Sequence, residues 1–409
     1  MRHNLHVLRD RSFRYLFLAR TVSLLGNAIA PVALAFAVLD LPGGSATEIG
    51  LVLFAYSAAR LVFLLWGGVL ADRFARYRLM VGSDLLSGLT QACVAALFLT
   101  HTASLAPLMV LAAMNGTSSA LFIPAATGLT PQVVPAPLLR PANALLSLST
   151  NTASIAGAAL AGVLVTTVGP GWALAVDALS FLVSAVLLAG VRVAHTARAE
   201  PASMLGDLRH GWREFVSRQW VWVVVAQFAF VNVYFDAGFF VLGPVVADQS
   251  LGGASAWSVI AASMSCGLLL GSLMMMRLSP RRPMRAAVLA TFGFAPALLL
   301  LALGAPVWLI AVAATLTGVC ATAFSVLWDT TLQSQVPQQA LSRVSSYDAL
   351  GSFALGPVGY AIVGPVSEAI GVTATLTAAA VLLVLTSVAA LLSPSVRRLP
   401  AGDTGPAGS

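Results

Sequence analysis

Residues 67–78 read GGVLADRFARYR and place one aspartate and three arginines after a glycine pair. The rest of the chain is almost uncharged: of 409 residues, 58% are hydrophobic and 9% are charged, against about 45–50% and about 25% in soluble domains. On both sides of this stretch, apolar runs are long enough to cross a hydrocarbon core of about 30 Å as helices. The stretch therefore predicts a polar loop between two membrane helices.

The whole chain divides into twelve such apolar runs, separated by short polar links. We expect an all-α integral membrane protein with twelve transmembrane helices. The N-terminal tail precedes an apolar stretch that continues to Val38 without a cleavage pattern, so we interpret it as a tail and first helix and not as a secretory signal. The approximate centres of the helices are Asn27, Ala59, Thr90, Thr117, Ala153, Phe181, Val231, Leu268, Phe294, Thr317, Leu355 and Leu382.

The distribution of basic residues predicts the orientation. The net charge is +7, and all 22 basic residues are arginine. Apart from Arg20 and Arg60, they lie in the two tails and in alternate loops, while the other loops have none. This asymmetry follows the positive-inside rule, so we expect both termini in the cytoplasm and a multi-pass protein of the bacterial cytoplasmic membrane. It also argues against nucleic acid as a partner.

The sequence has no pattern that indicates an enzyme. Cys93, Cys266 and Cys320 are isolated on three different helices, which favours simple packing over a disulfide or a metal site. Phosphate-binding loops and spaced metal ligands are absent from the sequence. We therefore expect no cofactor and no metal, with a proton gradient as the energy source.

Two halves of six helices each are predicted. We divide the chain into an N-terminal bundle with its tail (1–191), a central cytoplasmic loop with an interfacial helix (192–218), a C-terminal bundle (219–392) and a disordered cytoplasmic tail (393–409). The halves are weakly repetitive, because QVVPAPLLRPANALLSLS resembles SQVPQQALSRVSSYDALGS at a spacing of about 203 residues. Such repeats are typical of transporters that alternate access between two bundles.

Asp72 is the unusual residue of the opening stretch. It stands at the C-terminal end of the second helix, where the helix dipole favours cations, so it needs a partner. Nearby arginines or the start of the eleventh helix could supply one, and release of that contact would open the cytoplasmic side; the alternative is that Asp72 only closes a loop whose arginines set topology. The residues of this predicted cytoplasmic latch are Gly68, Asp72, Arg73, Arg76, Arg140 and Arg343.

The pattern GxLADRxxRxR at residues 68–78 resembles the loop signature of the major facilitator superfamily. The stretches VDALSFLVSA and LQSQVPQQALSRV further resemble the bacterial branch that contains enterobactin and macrolide exporters. The resemblance implies two pseudo-symmetric six-helix bundles, a rocker-switch transport cycle that is usually proton-driven in export branches, and a substrate cavity between the halves. Ala75, Tyr77 and Ala158 depart from the family's patterns, which weakens the inference of antiport.

Ionisable residues inside the membrane are functional candidates, because each needs a partner or water. The candidates for proton coupling are Asp236, Arg60, Asp84 and Arg20. Arg20 and Asp84 lie at equal depth on the first and third helices, which makes an ion pair plausible, either as a structural pair or as a gating contact. Arg60 could pair with Asp236 on the seventh helix, and Asp236 could bind a proton or a cationic substrate; the alternative is that it only neutralises Arg60. We interpret Asp177 on the sixth helix as more structural than functional.

Six neutral polar residues lie deep in the predicted helices. They could line the substrate cavity, or they could hold helices together by hydrogen bonds. These residues are Asn27, Gln91, Asn115, Gln227, Asn232 and Tyr234.

The sequence favours a monomeric exporter of a small hydrophobic compound, such as an antibiotic, a siderophore or another secondary metabolite, by proton antiport. Its expected partners are that substrate and the lipid bilayer. Uptake by proton symport, or a non-transporting sensor on the same fold, are the alternatives.

We predict that Asp72→Asn lowers transport while substrate binding stays largely intact, because the substitution removes a charge of the latch and none of the cavity. Transport into everted vesicles, compared with binding in the same membranes, measures this difference. Normal transport by the variant would leave residues 67–78 with a role in topology alone.

Overall fold

The computed structural model describes residues 10–135, 138–191, 212–278 and 280–400, and this part of the chain is helical with no strand. Twelve helical segments within it are long and apolar enough to cross a membrane. The prediction of an all-α protein with twelve spans is therefore confirmed. The orientation of its termini stays a prediction.

The first six spans are continuous helices. Helix α1 begins after Asp10, whose carboxylate accepts a 2.8 Å hydrogen bond from the Phe13 amide, and α2 begins after Ser45, which accepts one from the Thr47 amide at 3.1 Å. Such side chains satisfy amides that have no partner within the helix. The helices are α1 (Arg11–Leu39), α2 (Ala46–Arg73), α3 (Arg76–Leu99), α4 (Leu105–Val133), α5 (Leu139–Thr167) and α6 (Pro170–Ala189).

The later spans are less regular. The seventh starts as α7 (Gln219–Asp236) and continues through π-helical turns at Ala237–Leu242 and Ala247–Leu251. The ninth is interrupted by a 3-10 turn at Thr291–Phe294. The other helices are α8 (Ala254–Met275), α9 (Pro283–Ala290), α10 (Ala295–Ala302), α11 (Val307–Gln335), α12 (Gln338–Phe353), α13 (Gly356–Ile370), α14 (Val372–Leu392) and α15 (Pro394–Arg397).

The eleventh span is broken near its centre. Helix α12 ends at Phe353, α13 begins at Gly356, and Pro357 stands in the first turn of α13. Proline has no amide hydrogen to continue a helix, but it fits the first turn of a new one. The break therefore frees carbonyl groups at the end of α12.

The contacts divide the chain into two compact units. The first contains residues 1–198 and 247–262, and the second contains residues 199–246 and 263–409. This differs from the predicted bundle of residues 219–392, because the end of the seventh span and the start of α8 group with the first unit. A physical reason is the close packing of α8 against α5: a Cβ atom added at Gly162 would lie 2.7 Å from the Ser258 side chain.

Glycines bring helix backbones into direct contact in both units. In the first unit, α2 and α4 meet at Gly116, where an added Cβ atom would lie 2.1 Å from the Tyr56 carbonyl oxygen. In the second, a Cβ atom at Gly318 of α11 would lie 2.2 Å from the Met264 carbonyl oxygen of α8. The repeat therefore pairs the second span with the fourth and the eighth with the tenth by the same kind of contact.

The polar segments that the structure describes contribute to the apolar core of the second unit. Residues 393–400 include α15, whose Val396 is 0% exposed within an apolar cluster. In the short helix at residues 212–217, Phe215 is buried in the same cluster, while Trp212 and Val216 are exposed. The interfacial position of this helix stays a prediction. The predicted positions 192–211 and 401–409 lie outside the described residues.

We expect Gly116→Ala to destabilise the first unit, because its methyl group would overlap the Tyr56 carbonyl; overpacking of this kind costs about 1–3 kcal/mol. The measurement is the thermal unfolding midpoint of the purified protein in detergent. Gly82→Ala on α3 is the matched control, because a Cβ atom there has nothing within 4 Å. Equal midpoints for the two variants would contradict the assigned contact.

Candidate functional site

Arg76 is the member of the predicted latch whose side chain the structure describes. Its guanidinium donates a 2.6 Å hydrogen bond from Nη1 to the Gly128 carbonyl oxygen, which joins the start of α3 to the end of α4. A cation near a helix C-terminus also interacts favourably with the helix dipole. The side chains of Gly68, Asp72, Arg73, Arg140 and Arg343 lie outside the described residues, so the latch stays a prediction.

The predicted ion pair between Arg20 and Asp84 is not present. Asp84 is 2% exposed, its Oδ2 atom has no hydrogen-bond partner, and no arginine of the described chain lies within 4.0 Å of its carboxylate. The polar side chain near Asp84 is Ser184 of α6. Equal depth on two helices was not sufficient, because depth does not fix the direction in which each side chain points around its helix.

Asp177 of α6 is more deeply enclosed than the sequence indicated. The amide of Gln91 on α3 donates a 2.6 Å hydrogen bond from Nε2 to Asp177 Oδ2. The Ser180 hydroxyl donates to the Asp177 backbone carbonyl at 2.7 Å. On the other side, a Cβ atom at Gly26 of α1 would lie 2.5 Å from Asp177 Oδ1. Three helices thus meet at this carboxyl group.

The second unit places a neutral cluster at the corresponding spans. Gln227 of α7 donates hydrogen bonds to the Thr291 hydroxyl at 3.2 Å and to the Ser387 hydroxyl of α14 at 3.1 Å. Those two hydroxyls are 2.8 Å apart. In the second unit buried polar side chains therefore join the seventh, ninth and twelfth spans. In the first unit Gln91 and Asp177 join the third and sixth spans, and the first span approaches them through Gly26.

Asn232 of α7 is bonded to the broken eleventh span. Its Nδ2 atom donates a 3.0 Å hydrogen bond to the Ser352 carbonyl, one of the last carbonyls of α12. The terminal carbonyls of a helix lack partners within it, so Asn232 compensates for the break. In the same region Asp348 accepts hydrogen bonds from Trp328 Nε1 at 2.8 Å and from the Ser352 hydroxyl at 3.0 Å.

Asp236 stands one turn beyond Asn232, on the same face of α7. It is the last residue of α7 before the π-helical turn, and π-helical turns are frequent at functional sites. The residue is half-buried, and among the described residues its carboxylate has neither a hydrogen-bond donor nor a cation within bonding distance. Close by, Gly359 lets α13 approach α7, since a Cβ atom there would lie 3.0 Å from the Val233 carbonyl oxygen.

Arg60 belongs to the first unit and Asp236 to the second, so their pairing stays a prediction. Arg60 is exposed near the middle of α2, as is Asn27 on α1, while Asn115 and Tyr234 are half-buried. Of the six neutral cavity candidates, Gln91, Gln227 and Asn232 form the helix-to-helix hydrogen bonds described above. Those three therefore hold helices together, and a contact with substrate stays a prediction for all six.

Outside the spans, Asp40 lies just beyond the end of α1 in the α1–α2 loop. Partial burial, and secondly the negative charge of Asp248, raise the pKa of its carboxyl group. The two residues are more than two hundred positions apart in the sequence, so spacing alone could not indicate that they are neighbours.

The sequence reasoning also missed Gly26, Ser180 and Ser184. One signal was available in the sequence. Ser180 and Ser184 follow Asp177 by three and seven residues, which places all three on one face of a helix. A polar stripe on an otherwise apolar helix indicates a buried polar contact. Nothing in the sequence indicated Gly26 as the neighbour.

We expect Asn232→Leu to lower the thermal stability of the protein, because the Ser352 carbonyl would lose its donor while staying buried; an unsatisfied buried group costs about 1–3 kcal/mol. The same substitution at Asn115, whose half-buried side chain forms no hydrogen bond in the described structure, is the control. Thermal unfolding in detergent gives both values. An unchanged midpoint for Asn232→Leu would mean that this bond does not support the break.

Known proteins resemble this chain over nearly its whole length. The multidrug efflux pump Tap of Mycolicibacterium fortuitum is 27% identical over 390 residues, covering 91% of this chain and 93% of the pump. The enterobactin exporter EntS of Shigella boydii serotype 18 is 27% identical over 379 residues, covering 90% of this chain and 89% of the exporter.

Among solved structures, the nucleoside transporter NupG superposes with a TM-score of 0.75 at 12% identity, covering 93% of this chain and 98% of its own. A bacterial homolog of the human lysosomal transporter Spinster gives 0.70 at 16% identity, with 95% and 97% covered. These similarities show the fold. The family described as transmembrane secretion effector matches residues 3–407. The chain therefore belongs to the transmembrane secretion effector family of the major facilitator superfamily, a family of multi-pass membrane transporters and not of enzymes.

Proposed function

We propose that this protein exports a small hydrophobic compound, such as an antibiotic, a siderophore or another secondary metabolite, in exchange for protons. It would do so as a monomer in the bacterial cytoplasmic membrane, with both termini in the cytoplasm. The names of the relatives favour export over uptake, because they are an efflux pump and a siderophore exporter. No cofactor or metal takes part in this scheme, and the energy comes from the proton gradient.

The observation that supports proton exchange best is the environment of Asp236. A carboxylate within a membrane span is costly unless it is neutralised. Asp236 has no cation or donor bonded to it in the described structure, yet it is half-buried and so can be reached. A proton or a cationic substrate is therefore the partner that this side chain lacks.

The backbone around Asp236 is suited to such a site. The π-helical turn begins directly after it, and Asn232, one turn earlier, contacts the break in the eleventh span. In transporters, interrupted helices commonly form substrate and ion sites near the midplane, because their free backbone groups can bind polar ligands there. Local rearrangement at an interrupted helix also requires fewer backbone hydrogen bonds to break than in a regular one.

The proposal places Arg60 and Asn27 on the water-filled path, because an exposed arginine near the middle of a span cannot face hydrocarbon without a large cost. The predicted latch at residues 67–78 would close that path from the cytoplasmic side. Arg76 supports this arrangement by fixing the start of α3 against α4.

We expect Asp236→Asn to abolish gradient-driven export, because an amide neither releases a proton nor neutralises a cation. The measurement is accumulation of fluorescent hydrophobic dyes, ethidium among them, in everted membrane vesicles. The variant should accumulate no more dye than wild-type vesicles whose proton gradient has been collapsed with a protonophore.

Asp40→Asn is the control, since it removes a carboxylate of the same type outside the spans. It should keep gradient-dependent accumulation. Full gradient dependence in Asp236→Asn would exclude Asp236 as the coupling residue. Accumulation in right-side-out vesicles only would indicate uptake, and no gradient-dependent movement of any dye in either orientation would contradict export of hydrophobic compounds and favour a sensor.

A further inference from the structure

A second carboxyl group, in the first unit, has an environment that the export scheme does not use. Asp177 is 0% exposed, between α1, α3 and α6. Its Oδ2 atom accepts the hydrogen bond from Gln91. Its Oδ1 atom is buried without a hydrogen bond in the described structure, because the hydroxyl of the nearby Ser180 donates to the Asp177 backbone carbonyl. An ionised carboxylate in an apolar interior is stable only with a cation or a full set of donors.

Among the described residues, no cation lies within bonding distance of the Asp177 carboxyl group. The elements packed against α6 are α1, α3 and α5, and none of their described charged groups lies within 4.0 Å of this carboxyl group. On α1, Arg20 is six residues before Gly26, or roughly 9 Å along the helix. On α3, Asp84 is seven residues before Gln91, or roughly 10 Å. The remaining titratable or charged residues of these helices are Arg11, Arg14, Tyr15, Arg76, Tyr77, Arg78, Cys93 and Arg140.

The backbone of α1 closes the space beside Oδ1. A Cβ atom at Gly26 would lie 2.5 Å from Asp177 Oδ1 and 2.1 Å from the Ser180 hydroxyl. The glycine therefore lets α1 lie directly on the carboxyl group, and no solvent-accessible surface is left at that oxygen. Water can reach Oδ1 only if α1 and α6 separate at this point.

The position of the second unit that corresponds to Asp177 has no acid. At the repeat spacing of about 203 residues, Asp177 matches Ala380 of α14, which is 1% exposed. The neutral cluster of Gln227, Thr291 and Ser387 lies about two turns farther along that helix. In the described structure six buried side-chain atoms lack a hydrogen-bond partner, and four of them belong to Ser83, Asp84, Asp177 and Ser184 on α3 or α6. An acid at a buried position whose counterpart is apolar points to a chemical use of its proton.

We propose that Asp177 is a proton-binding site of the first unit, occupied while Gly26 of α1 lies on it and emptied when α1 separates from α6. In the closed arrangement the neutral carboxylic acid avoids the cost of a buried charge. When the contact opens, water solvates the carboxylate and the proton leaves. The proton is thus exchanged with water by movement of α1, and no other chemical group is consumed.

This site is separate from the export proposal. Binding of a proton at Asp177 can be measured without substrate and without a gradient, whereas the role of Asp236 is measured by transport. A negative outcome in one of these two experiments would not change the interpretation of the other.

The test is infrared difference spectroscopy of the full-length protein in lipid nanodiscs during a pH titration. A protonated carboxyl group has a carbonyl band distinct from the bands of a carboxylate, and the band shifts in heavy water. We expect wild-type protein to show such a band at neutral pH, Asp177→Asn to lack it, and Asp40→Asn to keep it. If a folded Asp177→Asn protein kept every neutral carboxyl band of the wild-type protein, the proposal would be overturned.

Two further variants test the mechanism, and they apply even if Asp177→Asn does not fold. Gly26→Ala should move the loss of the band to lower pH, because its methyl group separates α1 from α6 and admits water. Gln91→Met should move it to higher pH, because the donor to Oδ2 stabilises the carboxylate. A titration unchanged in both variants would contradict the assignment to Asp177.

Gly157→Ala is the matched control for Gly26→Ala. It also inserts a methyl group against the same stretch of α1, 2.5 Å from the Ala28 side chain and 2.7 Å from the Leu25 carbonyl oxygen, but from α5. Ala28 is two residues from Gly26 and so lies on nearly the opposite side of α1. We expect the titration of the band to stay as in wild-type protein. An equal shift in Gly157→Ala and Gly26→Ala would show that the contact at Gly26 does not control the proton.

Discussion

Direct contact between helix backbones is the constraint on which both units depend. In lipid, apolar side chains gain little by leaving hydrocarbon for protein, so helices associate through close packing and hydrogen bonds. Gly116 on the Tyr56 carbonyl, and Gly318 on the Met264 carbonyl, bring paired spans as close as two backbones can lie. Because the contact recurs at corresponding spans, it is a property of the repeated unit.

Hydrogen bonds between spans supplement these backbone contacts. In the second unit the Gln227 amide finds two hydroxyl partners, and the Ser352 carbonyl freed by the break is bonded by Asn232. In the first unit Gln91 is bonded to Asp177, which has one oxygen bonded and one buried without a partner. Gln227 likewise has its amide nitrogen bonded and its Oε1 atom buried without a partner, so the two units differ in that the first places an acid in such a cluster.

The two incompletely bonded acids, Asp236 and Asp177, have different helical surroundings. Asp236 lies beside a π-helical turn and a broken span, where backbone rearrangement is local. Asp177 lies between regular helices, where exposure requires one whole helix to separate from another. The first arrangement suits a site that a small ligand reaches directly, and the second suits a group whose environment follows the position of α1.

Hydropathy, arginine placement and the 68–78 signature were sufficient to predict twelve spans, two repeats and the superfamily, because each depends on composition or on local spacing. Depth along a helix could also be read from residue number, which is why Arg20 and Asp84 were placed at the same level. Sequence spacing could not show which helix Asp84 faces, and the expected ion pair is absent.

Only the tertiary structure decided which spans are in contact and which side chain each buried polar group contacts. Gln91 was one of several neutral polar residues until its amide was found bonded to Asp177, and Gly26 carried no signal until α1 was seen to lie on that carboxyl group. Pairings across tens of residues depend on how helices rotate about their own axes and pack. A rotation of one helix changes every partner on its surface without changing the hydropathy from which the span was recognised.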